Sequence, residues 1–319
     1  MSSIAAQILH GILILALAPL LTGYIRWLKA RMTSRRGAPI WQPYRDIARL
    51  LRKEACVADA ASWIFRAAPY VGFAAIFVAC LMVPMIATDL PAHRMGDLLI
   101  VLSLLAMARF WTALAGLDIG TAFGGLGASR DLMIASLAEP ALCVLILVCS
   151  LITGSTMPGH IAEHMIAGGL HVQISLLFLF LSLSMVAVAE NGRVPIDNPA
   201  THLELTMVHE AMVLEYSGRH LALIEVTRMM KLVLYIGLIG ALFFPYGMVS
   251  GPIADPLAVL NAVGAWIIKL LLAGFAVAML ESSIAKMRVF RVPEYLGAAI
   301  LFALLAGCFV FLFNHGGVS

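Results

Sequence analysis

The chain has 319 residues, of which 62% are hydrophobic and only 12% are charged. Soluble domains carry about 25% charged residues, so this composition excludes an ordinary soluble protein and indicates a membrane protein with several spans. A formal net charge of +3 is too small to indicate a nucleic-acid partner. The lipid bilayer is the partner that the composition requires.

Eight apolar segments are each long enough to cross the hydrocarbon core, which takes about 20 residues of helix. They lie at about 4–25, 67–88, 97–117, 132–153, 171–189, 229–247, 257–280 and 294–313. No internal repeat or low-complexity tract divides them. The predicted fold is therefore all-α, a polytopic membrane helix bundle in a single integral membrane domain over 1–319. It has about eight transmembrane helices and short amphipathic cytoplasmic helices.

Basic residues are concentrated in alternate connections between these segments. Nine of them lie in the first connection, from Arg26 to Lys53, whereas the second, fourth and sixth connections contain only Arg94. Because cytoplasmic loops carry the excess of Lys and Arg, we expect the odd connections in the cytoplasm. Both termini are then predicted on the outer, periplasmic side of a bacterial cytoplasmic (inner) membrane.

Two cytoplasmic connections contain local patterns. Residues 44–53 alternate apolar and basic side chains at helical spacing, which predicts a short helix lying at the membrane surface. The stretch Gly124-Gly-Leu-Gly127 follows a membrane span instead of a strand and lacks the P-loop lysine. It is predicted to be a flexible cytoplasmic turn, not a nucleotide loop.

Metal ligation is suggested by one short motif only. His160-Ile-Ala-Glu-His164 fits the H-x-x-E-H pattern of zinc peptidases, but it lies in a short outer connection with no evident third ligand. The five cysteines lie singly, without a C-x-x-C pair. We therefore predict a solvated loop at His160–His164 and no metal bound by this chain.

Arg109, Glu139 and Lys269 lie within the third, fourth and seventh apolar segments. A charged group at the centre of a membrane helix costs roughly 2.5–3.5 kcal/mol on insertion scales. One interpretation is structural, with Arg109 and Glu139 as buried partners or near an interface. The other is a proton or charge relay through the bundle, which is the usual role of intramembrane charge.

The fifth connection concentrates a third of the acidic residues of the chain. These residues are Glu190, Asp197, Glu204, Glu210, Glu215 and Glu225. Thr201 and Glu204 have the spacing of a capping box, which predicts a helix start there. A structural reading assigns Glu204 to that cap and Glu210 to a solvated face. Apolar residues such as Met212 are interleaved, so we expect a helix partly embedded at a protein and membrane boundary.

Four motifs, in order, carry a resemblance to a known family. They are RRGAPIWQPYRDIARLLRKE (35–54), GASRDLMIASLAEP (127–140), ENGRVPIDNP (190–199) and EYSG (215–218). They resemble subunit 1 of respiratory complex I, a protein of eight spans whose cytoplasmic loops form the chamber where a quinone head meets the hydrophilic arm. The stretch 269–294, with Glu281-Ser-Ser-Ile-Ala-Lys286-Met-Arg288, departs from complex I. It is similar instead to membrane subunits of group 4 [NiFe]-hydrogenases of the hydrogenase-4 and formate hydrogenlyase types.

The resemblance implies a membrane anchor and proton-coupling subunit of a complex I-like oxidoreductase that is not itself catalytic. Its partners would be iron–sulfur and [NiFe]-hydrogenase-like soluble subunits and antiporter-like membrane subunits. Iron–sulfur clusters and a Ni–Fe site would belong to those partners, and this chain would bind no cofactor of its own, with a quinone as the one ligand left open. The implied relay residues are Glu139, Glu190, Asp197, Glu204, Glu210, Glu215, Arg109 and Lys269. The implied docking residues are Arg35, Arg36, Arg45, Asp46, Arg130, Arg193 and Tyr216.

The stretch 190–199 would be the coupling element of such a subunit. Pro195 and Pro199 favour extended chain after the span ends, which would hold Glu190, Arg193 and Asp197 at the membrane boundary. Two alternatives stay open at this point. One is the quinone-site subunit of an NADH:quinone oxidoreductase, and the other is a stand-alone secondary transporter, against which the chain shows no paired halves with interrupted spans.

Overall fold

The computed structural model describes residues 3–93, 95–168, 174–194, 196, 208–250, 256–284, 287 and 291–316. Within these ranges the chain forms eleven α-helices and no strand beyond an isolated bridge between Ala87 and Val249. The helices are α1 Ser3–Met32, α2 Gln42–Arg52, α3 Trp63–Met82, α4 Leu98–Asp118, α5 Ala122–Thr153, α6 Pro158–Gly168, α7 Ile174–Glu190, α8 His209–Val213, α9 Gly218–Phe243, α10 Pro256–Ser283 and α11 Val292–Gly316.

The predicted polytopic helix bundle is confirmed. In the described ranges, seven helices are long and apolar enough to cross a membrane: α1, α3, α4, α5, α9, α10 and α11. The eighth predicted span corresponds to α7, which is apolar but has 17 described residues. Residues 171–173 of that predicted span lie outside the described part of the chain.

Helix α2 confirms the predicted surface helix and shows how it is attached. Its buried Pro43 faces α1, where a Cβ on Gly23 would overlap the backbone carbonyl of Ile40. The Tyr44 hydroxyl donates a hydrogen bond to the carbonyl oxygen of Ala16. Burial raises the pKa of the Tyr44 phenol, so the hydroxyl stays a donor at neutral pH.

The prediction of a flexible turn at Gly124–Gly127 is wrong, because these residues form the first turns of α5. A Cβ on Gly124 would overlap the carbonyl of Gly116 at the end of α4, and one on Gly127 would lie 2.9 Å from the carbonyl oxygen of Val208. The glycines are therefore needed for close backbone packing. The side chain of Thr121 caps the helix, since its hydroxyl accepts a bond from the Gly124 amide at 3.2 Å.

The prediction of a solvated loop at His160–His164 is also wrong, since α6 is helical there. His160 and His164 are exposed, while Glu163 accepts a hydrogen bond from the Thr88 hydroxyl at 2.8 Å. Within the described residues, no group of three or more His, Cys, Asp or Glu side chains is arranged to hold a metal ion.

Helix α9 begins at Gly218, eleven residues before the start predicted from hydropathy at 229. Its first three turns are polar and include Glu225 and Arg228, which form an ion pair at 3.1 Å. These polar residues lower the local hydropathy, so a search for apolar segments does not detect the first turns of the helix. Because α9 begins at Gly218, Lys231 lies near the middle of the helix and not near its start.

The core lies between α3, α4, α5, α7 and α9, where large side chains such as Ile76, Leu105 and Met230 are buried. Helix α10 packs mainly against α1, and α11 packs against α5 and α7. Both expose large apolar side chains along their length, as expected of surfaces that face lipid or other membrane subunits.

The orientation in the membrane stays a prediction. A cysteine replacing the exposed His160 should react with an impermeant reagent from outside, whereas one replacing Arg36 should not.

Candidate functional site

Four ionisable residues on four different helices meet in the interior of the bundle. Arg109 of α4 pairs with Glu190 at the end of α7, and its other terminal nitrogen lies 3.3 Å from Glu139 of α5. Lys231 of α9 lies 2.9 Å from the second carboxylate oxygen of Glu190. We call these residues the ion network. Two cations face two carboxylates, so the network is neutral when all four are ionised.

Burial differs across the ion network. The side chains of Glu190 and Arg109 are 1% and 7% exposed, that of Lys231 is 17% exposed, and that of Glu139 is 39% exposed. A buried charge is tolerated when it is paired and hydrogen-bonded, which Glu190 achieves with two cations. Glu139 is therefore the most exposed member of the network.

The end of α7 explains why Glu190 points into the bundle. Gly192 has φ +55°, and the amides of Gly192 and Arg193 bond back to the carbonyls of Ala189 and Val188 at 3.1 Å. This left-handed glycine ends the helix and reverses the chain. A Cβ at Gly192 would lie 3.0 Å from the imidazole of His209, so a larger residue would displace α8 as well as strain the turn.

Lys231 was not predicted from sequence as a site residue. Hydropathy placed Lys231 at the margin of a span. Basic residues are common at such margins, so its position did not indicate a functional site. Asp131 and His209 were also missed, and their side chains lie 3.4 Å apart, next to the ion network. Asp131 interacts electrostatically with Arg109. Asp131 precedes Glu139 by eight residues, or about 2.2 helical turns, and this spacing was the only sequence indication.

A cavity of about 850 Å³, counted with the part open to solvent, lies directly against the ion network. Its polar lining includes Arg109, Asp131, Glu190, His209, Tyr216 and Lys231. Its apolar lining comes from α3, α4, α8 and α9. The cavity therefore has the mixed character of a ligand or water-filled site with convergent polar groups.

A second, apolar cavity of about 330 Å³ lies between α4, α5, α7 and α9. Leu105 lines both cavities, and Tyr235, one turn beyond Lys231 on α9, lines the second. Tyr235 is buried, and its hydroxyl has no hydrogen-bond partner in the described part of the chain. It lies close enough to Glu190 and Arg109 to interact with them electrostatically.

The EYSG motif joins the two long inner connections. The Ser217 hydroxyl accepts a bond from the Cys56 amide at 2.8 Å and donates to the Cys56 carbonyl at 2.9 Å. Tyr216 stacks on Phe65, with ring centroids 3.9 Å apart, and donates to the Phe65 carbonyl oxygen. Burial raises the pKa of the Tyr216 phenol. Gly218 has φ +54°, and a Cβ there would lie 2.5 Å from the Glu54 carbonyl oxygen, so this position requires glycine.

A second ion cluster, the Glu281 triad, joins α1, α10 and the segment after α7. Glu281, whose side chain is 4% exposed, lies 2.6 Å from Lys29 and 2.9 Å from Arg193. Arg193, which the sequence assigned to docking, is thus bonded within the chain. The triad anchors the start of the 190–199 segment to the ends of two spans.

The remaining docking residues lie at the surface or near it. Arg35, Arg36 and Arg45 are exposed, and Asp46 accepts a bond from Gln42 within α2 at 2.9 Å. Arg130 is half-buried near the start of α5. Of the seven predicted docking residues, only the three exposed arginines present free guanidinium surface on this chain.

The remaining relay residues are not brought into the ion network. Glu210 is half-buried in α8 and Glu215 is exposed before α9, whereas Asp197 and Glu204 lie outside the described residues, as does the helix start predicted at Thr201. Lys269 contacts Gly240 of α9, where a Cβ would lie 3.9 Å from the lysine Cδ. Gly240 follows Lys231 by nine residues, or about 2.5 helical turns, so Lys269 lies on the opposite side of α9 from the network.

Sequence comparison identifies relatives over nearly the whole chain. A family model described as NADH dehydrogenase matches residues 4–312. Formate hydrogenlyase subunit 4 of Escherichia coli (strain K12) is 31% identical over 304 residues, which are 95% of this chain and 97% of that protein. Hydrogenase-4 component C of Escherichia coli (strain K12) is 33% identical over 302 residues, which are 94% of this chain and 93% of that protein.

The fold is also shared with a solved structure. A chain of the membrane-bound sulfane sulfur reductase (MBS), an archaeal respiratory membrane complex, matches with a TM-score of 0.82 and 19% identity, covering 97% of this chain and 100% of that chain. The family match and the two relatives show that this chain belongs to the NADH dehydrogenase family, that is, to the complex I subunit 1-like membrane proteins.

Proposed function

We propose that the chain is the membrane anchor and proton-coupling subunit of a complex I-like oxidoreductase of the hydrogenase-4 or formate hydrogenlyase type. The two Escherichia coli relatives, whose names place them in hydrogen-metabolising systems, support this type. The iron–sulfur and [NiFe] centres belong to soluble partner subunits, and antiporter-like membrane subunits complete the assembly. The chain lies in a bacterial cytoplasmic membrane with both termini outside.

The ion network carries the proton-coupling part of the proposal. Arg109, Glu190 and Lys231 lie largely buried against a cavity that opens to solvent, and the more exposed Glu139 extends the network on the other side of Arg109. In an environment of low dielectric, a change of charge near the cavity alters the protonation of nearby carboxylates far more than it would in water. A redox change in a soluble arm docked over the cavity would therefore be felt first by Glu190 and Glu139.

The two cavities support a route for the proton beyond the network. Tyr235, one turn beyond Lys231 on α9, lines the apolar cavity, and its buried hydroxyl has no hydrogen-bond partner in the described part of the chain. A proton leaving Glu139 or Glu190 would pass through water that enters the apolar cavity transiently. The route thus runs between α4, α5, α7 and α9.

Docking of the soluble arm is assigned to the exposed arginines around α2. Arg35 and Arg36 precede the helix, and Arg45 lies on its exposed side. Arginine forms bidentate pairs with carboxylates at interfaces. Tyr216, Ser217 and Arg193 act differently, since their contacts within the chain hold the inner connections in place beneath the docked arm.

Replacing Arg35 and Arg36 together by Ala should reduce retention of the soluble arm by about tenfold or more, equivalent to about 1.4 kcal/mol. The subunit itself should remain in the membrane, because neither side chain packs within the chain. Co-purification in mild detergent measures both quantities. Arg291→Ala, which removes an exposed arginine elsewhere, is the matched control. Full retention of the arm in the double variant would place the dock elsewhere.

One purification tests the proposed function against its alternatives. Iron–sulfur and hydrogenase-like proteins that co-purify, with hydrogen evolution that quinone analogues do not inhibit, would support it. Inhibition by quinone analogues would instead favour a quinone-site subunit, for which the large cavity beside His209 and Tyr216 offers space. A stand-alone transporter would be recovered without iron–sulfur partners.

A further inference from the structure

Lys269 lies near the middle of α10, too far from either end of the helix for its ammonium group to reach water there. It is 13 residues from the first residue of α10 and 14 from the last, which is about 20 Å in each direction at 1.5 Å per residue. A lysine stem of four methylenes extends the ammonium group by only a fraction of that distance. The ammonium group therefore lies within the hydrocarbon layer.

Lys269 also differs from the other charges at mid-span. Arg109 and Lys231 each pair with a carboxylate at bonding distance. For Lys269 there is no carboxylate within ion-pair distance in the part of the chain that the structure describes. Glu281, the next acid along α10, is twelve residues away and is bonded to Lys29 and Arg193. A mid-membrane lysine without a partner costs roughly 2.5–3.5 kcal/mol on insertion scales.

Lys269 lies beside a part of α10 that is exposed at the surface of this chain. Helix α10 buries a stripe that includes Ala262, Trp266 and Leu270. Lys269 is half-buried at the edge of that stripe, with its stem against Gly240 of α9. Leu272, one turn further on the same flank, is 65% exposed. The charge thus lies where α10 meets α9, beside exposed surface of α10 that nothing in the described chain covers.

We infer that Lys269 pairs with an Asp or Glu at mid-membrane depth on a transmembrane helix of a second membrane subunit, which packs along the surface where α9 and α10 meet. Charge complementarity defines this occupant, because lipid chains offer no counter-ion at that depth. Gly240 allows the close helix approach that membrane interfaces favour. The inference rests on the proposed function only in that other membrane subunits assemble with this chain.

Site-specific photo-crosslinking in native membranes tests the contact. A benzophenone side chain in place of Leu272 should crosslink to a protein, and the crosslinked peptide should belong to a span that contains Asp or Glu. The matched control is Leu271, which is also exposed but faces about 100° away around α10. The same probe at Leu271 should not crosslink to that span. Crosslinks from Leu272 to lipid alone, or to a span without an acid, would overturn the inference.

Two variants measure the contribution of the charge. Lys269→Met keeps the stem and removes the charge, and it should lower retention of that membrane subunit by about tenfold, since interhelical polar contacts in membranes contribute about 1–2 kcal/mol. Lys269→Arg should retain it. Equal retention in the Met variant would contradict the ion pair. If that variant fails to assemble, the crosslink from Leu272, made with Lys269 intact, still tests whether an acid-containing span lies beside Lys269. A crosslink from Leu272 to an acid-containing span in an assembly that contains no iron–sulfur or hydrogenase-like protein would instead support this inference and count against the proposed function alone.

Discussion

Replacing Glu139 by Gln should leave the complex assembled and electron transfer running, while proton movement per electron falls to near the background leak. The amide keeps the shape of the side chain and still accepts a hydrogen bond from Arg109, but it cannot exchange a proton. Positioned proton-transfer groups contribute about a hundredfold or more. The measurement is proton uptake in vesicles, set against hydrogen evolution or another redox readout in the same preparation.

Glu294→Gln is the control for this experiment. Glu294 is exposed in the first turn of α11 and lies outside the ion network, so its replacement should leave the ratio of protons to electrons unchanged. An unchanged ratio in Glu139→Gln would show that this glutamate only supports Arg109 through their contact at 3.3 Å. It would then be removed from the mechanism, and Glu190 would become the candidate proton carrier.

Replacing Glu190 by Gln should be the most destabilising single change in the ion network. It leaves Arg109 and Lys231 buried side by side, with the half-exposed Glu139 as the remaining carboxylate of the network and Asp131 as a further acid near Arg109. Removing one partner of a buried ion pair costs about 3–5 kcal/mol. We expect a lower midpoint of thermal unfolding in detergent and less assembled subunit in the membrane.

A second substitution tests whether charge balance is the cause. Adding Lys231→Met to Glu190→Gln returns the network to one cation and one carboxylate, so most of the lost stability should be recovered. Glu225→Gln, which breaks the more exposed pair with Arg228, should change stability by less than about 1 kcal/mol. A double variant no more stable than Glu190→Gln alone would mean that packing, not charge, limits the site.

Much of the fold could be predicted from hydropathy because a helix in lipid must satisfy its own backbone hydrogen bonds and needs a minimum apolar length. These constraints are local, so the span positions and the surface helix α2 follow from short stretches of sequence. The errors have local causes too. The polar start of α9 hid its first turns, and the glycines at Gly124 and Gly127 indicate close packing as readily as they indicate a turn.

The candidate site was only partly predictable. Arg109 and Glu139 were recognisable because charge within an apolar segment is costly, and Glu190 was recognisable from the motif that follows the span. Lys231 was not recognisable, because hydropathy placed the start of its helix only two residues before it. Arg193, expected to face a partner, is bonded to Glu281, a contact across 88 positions that no local pattern indicates.

The sequence by itself determined that this protein crosses a membrane several times, carries charge at mid-span and belongs with the complex I subunit 1-like membrane proteins. Only the tertiary structure decided which charges meet. The pair between Arg109 and Glu190 joins residues 81 positions apart, and Lys269, equally visible in the sequence, is excluded from that network by the body of α9. The physical reason is that hydropathy and helix periodicity depend on neighbouring residues, whereas the pairing of buried charges depends on which helices lie side by side and on the face that each presents.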